Sequence, residues 1–259
     1  MSSSRTYVLI HFQSTAGGFR KRIEMLLQVL QQRCHVERAE TLWAFLRVLC
    51  GRRRGSQRMV ALIYGSLMAP CVVLLRLRWR DMPVYYMVRG DEATYAIERG
   101  RPIRAYVAVI CQKILRLLEC YFVFVSEDLR AVCESRLGPI RRAGILPNSI
   151  GRRLPAIRRW NGRIALVGDF GTVKNTEWAI ENLSGGKYEG HLYGARTLPE
   201  KWRRSWLINH GIVADLTEEL TKQPALLLLP YVDAGFPNVI VEALQAGCPI
   251  VVHDRFPFR

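Results

Sequence analysis

Glu242 is the single charge in a segment, GFPNVIVEALQAGCPIVV at 235–252, that reads as a loop, a short apolar helix and a strand. Its position sets two chemistries side by side. Asn238, Val239 and Ile240 occupy the first helical turn, whose amides lack partners within the helix and sit at the positive end of its dipole, so they suit an anion. A carboxylate one turn later can accept two hydroxyls of a sugar. Lys174, in the glycine-containing loop DFGTVKN at 169–175, could reach a phosphate as a point charge. Gly17 and Gly18 open the helix of QSTAGGFRKR at 13–22, where backbone amides can approach an anion closely. A solvated lysine, a tight turn and a glutamate on a wet helix edge would carry the same letters, so residue types alone leave these alternatives open.

The elements that would position these groups follow from the hydrophobic pattern. Short apolar runs alternate with amphipathic segments: TYVLIHF (6–12) then FRKRIEMLLQVLQQR, MVALIY (59–64) then a helix through Arg78, MPVYYMV (82–88), and PIRAYVAVICQKILRLLE (102–119) before CYFVFV. Ser126, followed by Glu127 and Asp128, is a good acidic helix start for SEDLRAVCESRL. Continuous apolar strands between helices mean a parallel sheet covered on both faces. From Ser135 to Gly168 the chain has no acidic residue, eight arginines and three prolines, which marks a domain junction. The alternation then resumes with RIALVGDF, NTEWAIENL, GHLYG, a helix in PEKWRRSWL, ALLLLP and the segment around Glu242. In open α/β sheets ligands sit beyond the carboxyl ends of the strands, where Lys174 and Glu242 are expected to lie.

Composition narrows the function further. With 259 residues, about half of them hydrophobic, the chain can build one large core or two smaller ones. Its N-terminus reads as a strand rather than a signal peptide, and its longest apolar run, 61–75, is too short and interrupted to cross a membrane. Seven cysteines without a CxxC pair, and no His/Cys cluster, argue for a reducing compartment and against a zinc site or a disulfide framework. No GxGxxG or GKS/T motif points to dinucleotide or P-loop binding. The net charge is +16, and residues 1–150 hold 24 basic against 11 acidic side chains, whereas 151–259 hold 14 against 11. That asymmetry implies an anionic partner for the first half. Aromatic residues do not interleave with the basic runs, so a specific nucleic-acid platform is not expected.

ALLLLPYVDAGFPNVIVEALQAGCPIVV resembles the donor-site signature of the retaining, metal-independent family-four glycosyltransferases of GT-B fold. STAGGFRKRIEMLLQVL is similar to the family's glycine loop and first helix, YFVFVSEDLRAVCESRLG with ILPNSI to the end of its first domain, and IALVGDFGTVKNTEWAIENL to the start of its second. The resemblance implies an α/β fold of two Rossmann-like parallel-sheet domains facing a cleft, 1–148 on the acceptor side and 149–259 binding the nucleotide sugar. It also implies that the second domain is incomplete, because the family continues beyond the strand that precedes Arg259. Glu242 would bind the ribose of a nucleotide sugar and Lys174 its diphosphate. Phe236, Pro237, Asn238 and Val239 would line the donor, and Gly17 and Gly18 would approach it from the first domain.

Three positions depart from the family pattern. The second glutamate of the signature falls at Ala234 with Asp233 beside it, the arginine of the phosphate pair falls at Asp169, and a histidine after the strand PVYYMV falls at Arg89. Asp233 and Arg89 are therefore the catalytic candidates. The expected function is transfer of a sugar, with retention, from a nucleotide-diphosphate donor to a cell-envelope glycan or lipid-linked acceptor. No cofactor or metal is expected, and the protein would be cytoplasmic and peripheral on the inner face of an anionic membrane. GRRRGSQR (51–58) and RLRWRD (76–81) are the expected membrane contacts. The alternative is a non-catalytic relative that binds nucleotide sugar weakly or serves as a partner subunit.

Overall fold

The computed structural model describes residues 6–10, 18–51, 59–148, 155–168, 170, 174–183, 187–231 and 237–253. The chain divides into two compact units, Met1–Leu146 and Pro147–Arg259. Each is a parallel sheet with helical crossovers.

The first sheet has the order β2-β1-β3-β4-β5-β6. Its strands are β1 (Thr6–Ile10), β2 (His35–Ala39), β3 (Met59–Tyr64), β4 (Val84–Val88), β5 (Tyr121–Phe124) and β6 (Ala143–Ile145). The central strand β3 is buried at every residue after Met59, as its unbroken apolar sequence requires of a strand covered on both faces. Helices α1 (Gly18–Gln31), α2 (Leu42–Cys50), α3 (Ala69–Arg78), α4 (Glu92–Glu98), α5 (Pro102–Leu117) and α6 (Glu127–Leu137) connect the strands. On one face Ile23 and Leu27 of α1 pack on Leu9, Leu62 and Met87. The helix start at Ser126 is as expected: its hydroxyl accepts a hydrogen bond from the Leu129 amide at 3.1 Å.

The second sheet has the order β11-β10-β7-β8-β9, from β7 (Arg163–Val167), β8 (Glu189–Tyr193), β9 (Leu207–Gly211), β10 (Leu226–Leu229) and β11 (Ile250–Val252). Strand alternation splits its core in two. Ile164 and Leu166 of β7 meet Ala179 and Ile180 of α7 (Thr176–Asn182). Ala165 meets Leu220 of α8 (Leu216–Lys222) and Ala243 of α9 (Asn238–Gln245) on the other face. Counted within the unit, the strand order is 3-2-1-4-5, and the switch point lies between β7 and β10.

One expectation fails locally. PEKWRRSWL is not a helix but a single 3-10 turn at Glu200–Trp202, after which Arg203 is extended and β9 begins at Leu207. Trp202 and Trp206 have helical spacing, but Trp206 lies across the backbone of Gly190, where any Cβ would come within 2.4 Å of its ring. Strand β2 and helix α8 escape the sequence pattern because both are largely polar, β2 as an edge strand. Among the described residues no helix is long and apolar enough to cross a membrane.

Candidate functional site

The switch point of the second unit brings the predicted Lys174 against a residue that sequence reasoning missed, Tyr231. Strand β7 ends at Gly168, whose φ of +139° suits glycine. A Cβ there would lie 3.3 Å from the Lys174 side chain and 3.1 Å from the Tyr231 hydroxyl, so glycine lets both close over the strand end. Tyr231 follows β10 and is 1 % exposed. Its hydroxyl donates to the carbonyl of Val167, joining the ends of β7 and β10. The Lys174 ammonium lies 3.9 Å from the centroid of the Tyr231 ring. The ring quadrupole attracts a cation over its face and so helps fix its position. Lys174 itself is half-buried, just before α7.

Helix α9 leaves the loop after β10. Its cap is Pro237, which makes no side-chain cap bond, and Asn238 is its first residue. The Asn238 side-chain oxygen accepts from the side-chain Nδ2 of Asn148 at 3.4 Å. Glu242 lies four residues on, half-buried and on the same helix face as Asn238. Val239 is half-buried, and Ile240 and Ala243 anchor the opposite face in the core. The segment around Glu242 is thus a helix anchored by Ile240 and Ala243, with Asn238 and Glu242 half-buried away from them.

The first unit places Arg89 directly after β4, with its guanidinium carbon 5.9 Å from the centroid of the Tyr64 ring at the end of β3. Beyond it lies a polar cluster the sequence reading did not identify. Glu92 accepts the Ser66 amide at 3.0 and 3.1 Å, the Ser66 hydroxyl at 2.6 Å and the Tyr86 hydroxyl at 3.0 Å. Asp91 caps α4 through the Thr94 amide and pairs with Arg136 at 2.6 Å. Burial works to raise the Asp91 carboxyl, but Arg136 and Thr94 outweigh it and hold it below the usual carboxylate range. Burial, with Glu92 adding to it, drives the Tyr86 phenol well above its usual value. The signal available in the sequence was Asp91 followed by Glu92, a cap and first-turn acid like Ser126 and Glu127.

Gly18 is the first residue of α1. Gly17, Asp233 and Phe236, with the departures Asp169 and Ala234, lie outside the described residues. Among the described residues no three His, Cys, Asp or Glu side chains are grouped to hold a metal ion.

Solved structures share this architecture. Sucrose-phosphate synthase from Thermosynechococcus elongatus superposes with a TM-score of 0.72 at 12 % identity, over 99 % of this chain and 82 % of that one. HepE of Anabaena, solved with UDP-glucose, gives 0.68 at 14 % identity over 97 % and 81 %. The fold is that of the GT-B glycosyltransferases. TarM of S. aureus, solved with UDP and α-GlcNAc-glycerol, gives 0.58 at 11 % identity. This chain covers 77 % of itself in that match and spans 42 % of the TarM chain. No protein-family model and no curated protein matches the sequence.

Proposed function

We propose that the protein is a retaining glycosyltransferase that moves a sugar from a nucleotide-diphosphate donor to a cell-envelope glycan or lipid-linked acceptor, without a metal. The observation that carries this reading is the seating of Lys174 on Tyr231, whose hydroxyl ties β7 to β10 where the strand order reverses. HepE and TarM, solved with UDP-glucose and with UDP, favour the same donor class.

In this reading Lys174 and the first amides of α9, at Asn238 and Val239, receive the diphosphate, and Glu242 accepts the ribose hydroxyls. Phe236 and Pro237 flank the donor. The bond between the anomeric carbon and the diphosphate oxygen breaks, and the electron pair leaves with the diphosphate. Positive charge at Lys174 and the helix start stabilises the developing anion. The acceptor hydroxyl attacks the anomeric carbon from the face the leaving group vacates, and its proton passes to the departing diphosphate. Arg89 and Asp233 take the places of the missing histidine and glutamate, Arg89 as a second positive charge. The basic first unit holds the protein at the cytoplasmic face of an anionic membrane.

Asp169 and Ala234 favour a second reading, a non-catalytic relative that keeps donor binding or acts as a partner subunit. Thermal unfolding against UDP-, GDP-, ADP- and dTDP-sugars tests the donor site. A donor at 100 times its Kd adds about 2.7 kcal/mol, an effect Glu242→Ala should cut to about half or less. Stabilisation by no nucleotide sugar refutes the donor site. Stabilisation without turnover on any acceptor favours the non-catalytic reading.

A further inference from the structure

Helix α5 turns its larger apolar side chains to the outside. The side packed into the unit is built from Ala105, Ala108, Cys111, Gln112 and Leu115, all buried. The opposite side carries Ile103, Tyr106, Val107, Ile110 and Leu117, with exposures of 80, 69, 38, 39 and 75 %. At the helical repeat these five fall in an arc of about 100°, the width of stripe that ordinarily faces a core. An exposed apolar stripe of this kind marks a surface that something covers.

Charge indicates what covers it. Arg104 and Lys113, both exposed, flank the stripe on either side, and Arg101 is exposed at its start. Helix α3 packs beside α5, and the Arg76 guanidinium donates to the Leu118 carbonyl at 3.2 Å, tying together the C-terminal ends of the two helices. There α3 adds Leu77, 79 % exposed, next to exposed Arg78 and Arg80. Of the acidic residues at this end, Glu119 is engaged by Arg142 at 3.0 Å, and Asp81 follows Arg80. A second copy of the chain on this face would bring arginines against arginines. A lipid surface with anionic headgroups instead receives the aliphatic side chains at the acyl boundary and the arginines and lysine among the phosphates. Tyr106 suits the same boundary, with an apolar ring and a polar tip.

We infer that the outer face of α5, with the end of α3, docks the protein on an anionic lipid membrane. This deepens the acceptor side of the proposed function, and rests on that reading for what the protein does once docked. It shifts the membrane contact from arginine runs alone to an apolar stripe with a basic rim.

Flotation of the full chain with phosphatidylglycerol-containing vesicles and with pure phosphatidylcholine vesicles tests it. The wild type should float with the anionic vesicles, and less so as salt rises. Ile103→Glu with Leu117→Glu, the two most exposed positions of the stripe, should weaken that binding about 100-fold through lost apolar burial. Arg104→Glu with Lys113→Glu should weaken it about tenfold or more. Both variants should keep the wild-type Tm and the donor-induced shift, because none of the four substituted residues belongs to the proposed donor site. Flotation unchanged in the stripe variant, or equal flotation with neutral vesicles, overturns the proposal. So does a wild-type dimer that the stripe variant turns into monomer without any vesicle binding. Vesicle binding without a donor-induced shift would sink the donor reading and leave the docking face standing.

Discussion

Two polar clusters sit at the carboxyl ends of strands, one in each unit, and they use charge in opposite ways. In the first unit Glu92 takes up an amide and two hydroxyls of the protein itself, and Asp91 is closed by Arg136 and Thr94. Those carboxylates hold the end of β3, β4 and the start of α4 together. In the second unit Lys174 rests on an aromatic face and Glu242 stands half-buried one turn into α9, both beside the strand-order switch. A carboxylate surrounded by donors of its own chain stabilises a fold. In the proposed donor site the cation on the ring and the carboxylate of α9 are the groups that would meet the ligand. The comparison therefore predicts that substitutions in the first cluster register as stability, and substitutions in the second as binding.

The largest effect belongs to the first cluster. Glu92→Ala leaves the Ser66 amide and hydroxyl and the Tyr86 hydroxyl without their acceptor, and Ser66 and Tyr86 are fully buried. At 1–3 kcal/mol for each buried group left unsatisfied, the loss should be about 3 kcal/mol or more. Urea unfolding measures it, and the donor-induced shift of the second unit should survive. A wild-type midpoint in this variant would mean the cluster is not structural. Next comes Glu242→Ala, which in the proposed donor site removes a charged acceptor for ligand hydroxyls worth about 1.5–3 kcal/mol, or roughly 10- to 150-fold in donor Kd. Calorimetry with the donor that gives the thermal shift checks it, and the urea midpoint should move little. A large stability loss with unchanged Kd would invert the comparison.

How far the sequence alone reached follows the same divide. The residues proposed for the second site could be picked out because their spacing is local: Glu242 stands four residues after Asn238 in one short helix, and Lys174 precedes another. What fixes Lys174, the Tyr231 ring, arrives from 57 positions along the chain. Nothing in ALLLLPY announces that its tyrosine reaches β7 rather than simply ending a strand. The Glu92 cluster was illegible for the same reason, since Ser66, Tyr86 and Gln112 converge on it only through the sheet. Alternation of apolar runs gave most strands, whereas polar β2 and α8 carried no such pattern. The helix α5 periodicity was plain, but which of its faces lies outside depends on packing. The small residues Ala105 and Ala108 let it sit close to its neighbours, and that leaves the bulkier stripe exposed.

A smaller effect tests the joint between the two halves of the second site. Tyr231→Phe removes the hydroxyl that Val167 accepts but keeps the ring beneath Lys174, so about 1 kcal/mol of stability should go while the donor Kd stays within a few-fold. Tyr231→Leu removes the ring as well. The cation then loses an interaction worth about 0.5–1 kcal/mol, and donor affinity should fall by a further few-fold. Equal donor affinity in the two variants would remove Tyr231 from the site and leave it as a strand tie only.

The last difference is one of pH, spread over a range rather than concentrated in one contact. In the second unit His191 is buried on β8, with Nδ1 2.8 Å from the His210 Nε2 and Nε2 3.0 Å from a Glu189 carboxylate oxygen. Burial holds its imidazole below the usual value of 6.5; Glu189 pulls upward, and His210 and Arg163 add to the depression. A histidine depressed in the folded state contributes stability that is complete above the unfolded value and is lost as pH falls through the folded one. The first unit's shifted carboxyls lie lower. The Ile140 amide, with Arg130, holds Glu134 below its usual 4.5, and Asp91 is held below its usual 3.8. Both contributions are complete above those values and are lost only as pH falls further. Acidification from neutral pH should therefore loosen the second unit first, across the range below about 6.5, while the first unit holds until about 4. Hydrogen exchange read peptide by peptide separates the units, and His191→Gln should flatten the loss in the second unit without touching the first. Simultaneous loosening of both units, or loosening of the first before the second, would show that neither cluster governs the acid response of its own unit.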